Sequence, residues 1–473
     1  MAMNRSQFSA LRQFPFCSYL VAAAALLACS AAGANSFVDA APQRLAEFIR
    51  VDTVNPPGNE TNGVRFFADI FDAAGIEYDS AESAPGRGNI WARLRGGRKP
   101  GLILLNHMDV VPADARHWSV PPYAGLIRDG FIWGRGAIDM KGTGIMQLQA
   151  FLHLAARVRA GARLNRDVIF LATADEETGG AQGAGWLVRH RSELFKRAGW
   201  LLNEGGSVRL TKQAPLYLVE VTQKVPVWLR LTATDRPGHG SSPTPTTAVT
   251  RILRAGARLA DTRFPARVVP TVERMFAGLA PFEVDQRRRA AFADIAEASR
   301  DDRFLRRLAA TNPGLHALLR NTCSLTRLEG SSKINVIPPQ ASLELDCRIL
   351  PDQDEAAFIE KLRAIANDPN IVIEKLMSLK PAESPADSEL LRAIERLVTD
   401  RDPGARVIPQ VSTGFTDSHY FRTLGINSYG LGFFMVPPED VRGVHGNDER
   451  LGVASLKTAT SMLIELLERF AVR

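Results

Sequence analysis

A histidine and an aspartate two residues apart, His107 and Asp109, close an apolar run from Leu102 to Leu105. Such a run reads as a buried parallel strand, and open α/β sheets bind ligands beyond the carboxyl ends of their strands. Side chains at i and i+2 of a strand share a face, so His107 and Asp109 are expected to look into one crevice. A histidine that ligates metal needs a partner for its other ring nitrogen, and Asp109 supplies a carboxylate. Alone, a His-x-Asp pair is more often structural. Four later segments change the reading.

The segment Gly134-Arg135-Gly136-Ala137-Ile138-Asp139-Met140-Lys141-Gly142 presents Asp139 just before a helical pattern, where an aspartate could also serve as a simple cap. Asp175-Glu176-Glu177 follows a second apolar strand, so one carboxylate can bind metal while its neighbour faces water; a solvated acidic loop is the plainer alternative. Asn203-Glu204-Gly205-Gly206 ends a third apolar stretch, and His445 stands in the turn-rich run Gly443 to Glu449. Together His107, Asp139, Glu177, Glu204 and His445 offer two imidazoles and three carboxylates. That donor count suits two zinc ions rather than one, with Asp139 shared and a hydroxide bridging them. Glu176, beside a ligand without being one, is the expected general base.

These groups need a scaffold. Between about Val38 and Thr222, helical patterns at 41–52, 63–74 and 143–160 alternate with strand patterns at 89–94, 102–105, 168–173 and 200–202, which predicts an α/β mixed sheet with helices on both faces. Near Gln223 the texture changes: strands at 227–233, 334–336 and 343–349 and a helix at 247–260 predict a smaller sheet with helices on one side. After about Pro381 the first texture returns, with helices at 388–399 and 453–470. The organisation is one catalytic domain in two parts, 38–223 and 381–473, interrupted by an insertion at 224–380. Residues 263 to 325, rich in alanine and arginine, are expected inside the insertion and carry no evident chemistry.

The order of motifs resembles the dizinc aminoacylase/carboxypeptidase family, which includes acetylornithine deacetylase, succinyl-diaminopimelate desuccinylase and glutamate carboxypeptidase. The matching residues are His107 to Pro112, Trp118, Pro121-Pro122, Trp133 to Gly136, Asp139 to Gly142, Asp175 to Glu177 and Asn203 to Gly205. Gly238 to Pro243, Asn335 to Pro338, Thr416-Asp417 and His445-Gly446 follow. The resemblance implies a zinc-exopeptidase-like catalytic domain with an inserted α+β dimerisation and lid domain. It implies that His107 and Glu204 hold one zinc ion, Glu177 and His445 the other, and that Asp139 bridges, with cobalt and other divalent ions as substitutes. It also implies a cis peptide after Asp139, catalytic roles for Glu176, Asp109 and His239, and substrate contacts from Asn335, Arg348 and the loop at Gly414. His239 would act in the site of a partner subunit, which makes the protein a homodimer. His419 departs from the arginine that many relatives carry. The stretch Val269 to Leu319 and the run Arg348-Ile349-Leu350-Pro351 resemble the vacuolar and secreted carboxypeptidases and N-acyl amino acid hydrolases. The implied reaction is cleavage of an amide or peptide bond next to a free carboxylate, in a dipeptide or an N-acyl amino acid. Hydrolysis of another amide, such as a carbamoyl compound, and a non-catalytic binding protein on the same fold are the alternatives. The second would have lost a ligand or the base.

The 473 residues carry a net charge of +7, a mild excess for this length. The cluster Arg287-Arg288-Arg289 with Arg303, Arg306 and Arg307 reads as a solvated helical face, since no nucleic-acid motif accompanies it. His117, His153, His190 and His316 lack supporting neighbours in sequence and read as surface or packing residues. At the start, Arg5 and Arg12 precede an apolar stretch from about Phe16 to Ala28, an export signal within residues 1–34. Leu26-Leu27-Ala28-Cys29 resembles a lipoprotein box, whereas Ala32-Gly33-Ala34 resembles an ordinary cleavage site. The protein is therefore expected to be exported, periplasmic or held at the membrane by a lipid on Cys29. Cys323 and Cys347 could pair or stay as separate thiols, and two cysteines are too few for a four-thiolate zinc site.

Overall fold

The run that ends at His107 is buried on both sides, and the computed structural model, which describes residues 35–473, shows why. The expected export segment with Cys29 lies outside the described residues. Helices 35–49 (α1) and Glu60–Ala74 (α2) lead to strands Tyr78–Glu82 (β1), Gly88–Leu94 (β2) and Lys99–His107 (β3). A hairpin, Leu126–Arg128 (β4) and Phe131–Trp133 (β5), precedes the long helix Lys141–Arg159 (α3). Then come strand Arg166–Thr173 (β6), helix Ala184–His190 (α4) and strands Ala198–Asn203 (β7), Ser207–Leu210 (β8) and Pro215–Gln223 (β9). The chain leaves this layer through Val225–Thr234 (β10), Gly238–His239 (β11) and helix Ala248–Asp261 (α5).

Five helices follow: Pro270–Leu279 (α6), Gln286–Ala293 (α7), Ile295–Ala298 (α8), Asp302–Thr311 (α9) and Pro313–Ala317 (α10). Strands Thr322–Glu329 (β12), Val336–Ile337 (β13) and Gln340–Ile349 (β14), helix Glu355–Ala366 (α11) and strand Ile371–Ser378 (β15) complete the excursion. The return runs through Glu389–Arg401 (α12), Arg406–Ser412 (β16), Ser418–Arg422 (α13), Asn427–Gly430 (β17), Pro438–Val441 (α14), Arg450–Gly452 (β18) and Val453–Ala471 (α15).

The large sheet is mixed, in the order β1-β2-β6-β3-β7-β17-β9-β16 with β8 on β9, and its central strands β6, β3, β7 and β17 are parallel. Alternation along β3 explains its unbroken apolar text. Leu102 and Leu104 pack with α2, α3 and α15, while Ile103 and Leu105 pack on the opposite face with Leu187 of α4 and Phe421 of α13. A chain buried on both faces has no polar position to alternate with. The α/β mixed sheet covered by helices on both faces is therefore as expected.

The smaller sheet runs β12-β14-β10-β15, all antiparallel, with α5 and α11 packed on one face. Two expectations need correction. The strand read at 334–336 is only Val336–Ile337, paired with Gly238–His239 in a separate ribbon. The helical block α6–α10 does not share the small sheet's core; it packs on Leu216 and Leu218 of β9 and Ile408 and Val411 of β16. His153 is a packing residue, buried in α3 and meeting Glu468 of α15 at 2.8 Å. Cys323 and Cys347, opposite each other on β12 and β14, form a disulfide.

Beneath the far side of the large sheet, Glu220 of β9 and Arg422 of α13 form a two-pronged ion pair (2.9 and 2.6 Å), both essentially without solvent contact. Removing one partner leaves an uncompensated buried charge. Glu220→Ala should therefore cost about 3–5 kcal/mol of unfolding free energy by denaturant titration, and an unchanged midpoint would contradict a dry, structurally coupled pair.

Candidate metal centre

The parallel strands β3, β6 and β7 end side by side, and each delivers its acidic or imidazole group at the same edge. His107 is the last residue of β3, Glu176 and Glu177 form a tight turn after β6, and Glu204 directly follows β7. Asp139 stands two residues before α3, after a turn in which Gly136 is needed. Its φ is +86°, and a Cβ there would lie 2.6 Å from Val110. His445 comes from the loop before β18, in a left-handed conformation (φ 54°).

Asp139 is the centre of the group. Its Oδ1 lies 3.3 Å from His107 Nε2 and its Oδ2 lies 3.2 Å from His445 Nε2. Glu204 Oε1 approaches His107 Nε2 to 3.4 Å, and Glu177 Oε2 approaches His445 Nε2 to 3.0 Å. Two overlapping donor sets result, His107–Asp139–Glu204 and Asp139–Glu177–His445, each with its ligand atoms within 4.8 Å of one another. Imidazole and carboxylate donors of this kind suit zinc or a similar divalent ion. His107 Nε2 and Glu177 Oε1 are buried without any hydrogen-bond partner among the described residues, so donor atoms remain available inside the cluster. The residues present fit two divalent cations that share Asp139. The Asp139–Met140 peptide is cis.

Asp109 differs from expectation in detail. β3 ends at His107, and His107 Nδ1 is within hydrogen-bond distance of the backbone carbonyl of Asp109 (3.0 Å), its carboxylate standing further off at 3.4 Å. That carboxylate instead accepts the backbone N–H groups of Glu176 (3.2 Å) and Glu177 (3.1 Å) and the amide of Asn55 (2.8 Å). It therefore aims the turn that carries Glu176 and Glu177 as well as fixing the histidine. Glu60 and Arg87, which carry no signal in the sequence, extend this support through Asp175. Arg87 binds Asp175 at 2.5 Å and Glu60 at 3.0 Å, and residues so far apart in sequence give no local signal.

The electrostatics follow from crowding. Burial and then Asp139 push Glu204 up to about 7. Burial followed by Glu204 holds Glu176, whose Oε2 is 3.9 Å from His107, well above the usual carboxylate range. Hydrogen bonds to Asp139 and Glu177 raise His445 to about 10. For Asp139, burial favours the neutral acid, but hydrogen bonds from His107 and His445 outweigh it and lower the pKa. Asp417 is also buried, behind the end of β6, where Thr173 donates to it at 3.0 Å. His419 is buried too, with Nδ1 against the Lys380 carbonyl, and burial drives it down to about 4.

The remaining predicted contacts fall into two groups. Arg348 is held by Asp346 (2.7 and 3.1 Å), stands 5.2 Å from the Phe415 ring, and keeps one buried Nη1 without a partner. Gly414 precedes that phenylalanine, so Arg348 and the Gly414 loop are neighbours. His239 and Asn335 lie on the exposed ribbon β11–β13, joined through Gly240 N and the Asn335 carbonyl at 2.8 Å. Among the described residues, no bond links either residue to the candidate metal cluster of the same chain.

Known proteins are similar to this chain in sequence and fold. The sequence model of peptidase family M20/M25/M40 matches residues 103–469. The N-fatty-acyl-amino acid synthase/hydrolase of Xenopus tropicalis is 30% identical over 381 residues, spanning 77% of this chain and 72% of the relative. Human aminoacylase-1 is 29% identical over 434 residues, spanning 90% and 94%. Among solved structures, an M20-family metallo-carboxypeptidase from Sulfolobus solfataricus superposes with a TM-score of 0.70 at 20% identity, covering 90% of this chain and 97% of that one.

Metal must displace protons here, because His445 holds one up to about pH 10 and Glu204 up to about pH 7. Both are protonated at about pH 6, whereas only His445 is at about pH 8.5. Zinc added to chelator-stripped protein should thus release more protons, and bind more weakly, at the lower pH. Calorimetry in buffers of different ionisation enthalpy measures the count; equal release at both values would contradict the raised Glu204.

Proposed function

Since the chain belongs to peptidase family M20/M25/M40 and is an enzyme of metal-dependent amide or peptide hydrolysis, we propose that it removes the acyl group from an N-acyl amino acid with a free carboxylate, using two zinc ions. The observation that carries this reading is Asp139 divided between His107 and His445, with Glu176 alongside, its Oε2 3.9 Å from His107 Nε2. Divalent ions held there would lower the pKa of the attacking water and draw electrons from the scissile carbonyl. Glu176 Oε accepts the proton of that water and passes it to the leaving amine nitrogen. Its upward shift suits the second task, since an acid needs a proton to give. All five ligand positions and the base are present, which argues against a non-catalytic protein on this fold.

The substrate class rests on two supports. Relatives named for fatty-acyl amino acids and for aminoacylase activity match across most of the chain. Arg348, with a free Nη1 and an aromatic wall of Phe415 and Trp228, offers a charge for the carboxylate beside apolar surface. A dipeptide with a free carboxylate is the second reading, favoured by the likeness to a carboxypeptidase fold.

The active unit is a homodimer built on the smaller sheet. β12 is an edge strand whose outward side is unpaired, and Leu325 and Leu328 on it and Leu253 on α5 are exposed, a surface that a second copy would cover. His239, exposed on the nearby ribbon, then reaches the partner's metal centre and donates to the developing oxyanion, a contribution of about 10²–10³ in rate. The protein is exported, with the segment before Ala34 as its signal and Cys29 as a lipid anchor; the Cys323–Cys347 disulfide supports an oxidising compartment.

Glu176→Gln should retain its metal and lose about 10²–10⁴ of kcat on N-acyl amino acids; near-normal turnover would remove Glu176 as the proton carrier. Unfolding and refolding it together with inactive His239→Ala chains should restore about a quarter of wild-type activity, because half the dimers are mixed and each has one complete site. Absence of any recovery would contradict a partner's histidine. Cys29→Ser should move the protein from the membrane to the soluble fraction, and an unchanged distribution would favour ordinary cleavage.

A further inference from the structure

The two halves of the metal centre are supported unequally. His107 and Glu204 extend from parallel strands in the middle of the large sheet, and their side chains are 1% and 19% exposed. His445 belongs to a loop, and its side chain is 54% exposed. The loop contains two glycines and two non-glycine residues, His445 and Asp448, at positive φ, and Asp448 Oδ1 ties its far end by accepting the backbone N–H and the hydroxyl of Ser119 (2.7 and 2.9 Å).

What orders it is a buried ion pair behind the ligands. Glu449 has no exposed surface, and its carboxylate receives four donors. Oε2 accepts Arg135 Nη1 (2.8 Å) and Gly136 N (2.9 Å); Oε1 accepts Ile138 N (2.8 Å) and Asp139 N (3.0 Å). The backbone carbonyl of Glu449 accepts Gly134 N at 2.9 Å. Arg135 completes the tie from the other side, donating to the carbonyls of Gly443 (3.2 Å) and Gly446 (2.5 Å), which flank His445. Its guanidinium lies 5.2 Å from the Trp118 ring. The register explains why these groups meet. Trp133 of β5 pairs with Arg450 of β18, so the loop leaving one strand and the loop reaching the other run side by side.

Resting on the two-ion reading above, we propose that the Arg135–Glu449 pair is a positioning clamp that sets the affinity of the His445-side ion far more than that of the His107-side ion. Among the described residues, neither side chain bonds a donor atom of the ligand cluster; both act on its backbone. Glu449 fixes the peptide of Asp139, the shared ligand, and Arg135 fixes the two carbonyls on either side of His445. Together they set the separation between Asp139 and His445. His107 and Glu204 need no such help, because strand pairing already sets theirs. Outer partners of this kind typically alter metal affinity by about 10–100-fold. Glu449 also explains why a carboxylate is tolerated so near Asp139. Its charge is spent on donors that would otherwise be buried and unpaired.

The test compares full-length wild type, Glu449→Gln and Arg135→Lys, stripped of metal and titrated with zinc against a chelating indicator. A glutamine puts an N–H₂ against donors that need an acceptor, and a lysine cannot span both carbonyls. Wild type should bind two ions per chain. Each variant should bind the first with little loss of affinity and the second about 10–100-fold more weakly. Hydrolysis should return as zinc is raised by that factor, with KM unchanged, which a merely destabilised enzyme would not do. Equal weakening of both ions, or of neither, would overturn the clamp. Uptake of a single ion by wild type would instead overturn the two-ion reading on which the clamp rests. Arg135→Lys, which keeps the positive charge opposite Glu449, serves if Glu449→Gln does not fold.

Discussion

Asp139 stands between His107 and His445 with Glu176, Glu177 and Glu204 alongside, and taking so many carboxylates out of water is costly unless positive charge is supplied. The two imidazoles supply part of it only by holding protons, which is why His445 is drawn up to about 10 and Glu204 cannot readily ionise below about 7. Divalent cations resolve the same conflict more completely, since one ion can neutralise two carboxylates and leaves the imidazoles neutral and free to bind it. The hydrolytic chemistry is a consequence of this arrangement. A site that concentrates positive charge at a point, next to a carboxylate that can carry a proton, activates water whatever acyl group is presented to it.

The surrounding acids reinforce rather than compete with that arrangement. Asp109 and Glu449 are both fully buried, and both direct their oxygens onto backbone N–H groups of the segments that carry ligands. Asp109 binds the turn of Glu176 and Glu177, and Glu449 binds the peptide before Asp139. A carboxylate bonded in this way adds stiffness to short turns that have no regular structure of their own. Arg87, bonded to Asp175 and Glu60, does the same one layer further out.

The parts that were legible in the sequence are those where one local pattern has one physical cause. The strand ending at His107, the helix after Asp139 and the terminal helix announce themselves by apolar runs or helical spacing, and His107 and Asp139 sit at the ends of the first two. β9 and β16 were missed because they carry interior polar residues: Glu220 lies in β9 and pairs with Arg422, so the text Leu216 to Val221 breaks the apolar signal of a buried strand. The helical block α6–α10 was assigned to the insertion because it lies within it in sequence; its apolar residues Val272, Met275 and Phe276 instead cover β9 and β16. Long-range support such as Asn55 on Asp109 or Glu449 on Asp139 leaves no local trace, because each partner is unremarkable in its own stretch of chain.

That same helical block bears on the placement of the smaller sheet. Lys224, at the crossing from β9 to β10, is fully buried, and its Nζ donates to the carbonyls of Ala317 and Arg320 and reaches the Thr322 hydroxyl at 2.8–2.9 Å. Burial, and then Arg348, lower its pKa to about 7. Three oxygens at the end of the helical block thus grip the first residue of the excursion, and the block itself is fastened to the large sheet through β9 and β16. The smaller sheet is in this way braced near its root, on the side where Arg348 faces Phe415. Its ribbon with His239 and Asn335 and its open edge at β12 are left facing solvent. A root held firmly and an edge left unpaired are what an arm needs if its far end is to meet a second chain in a fixed orientation.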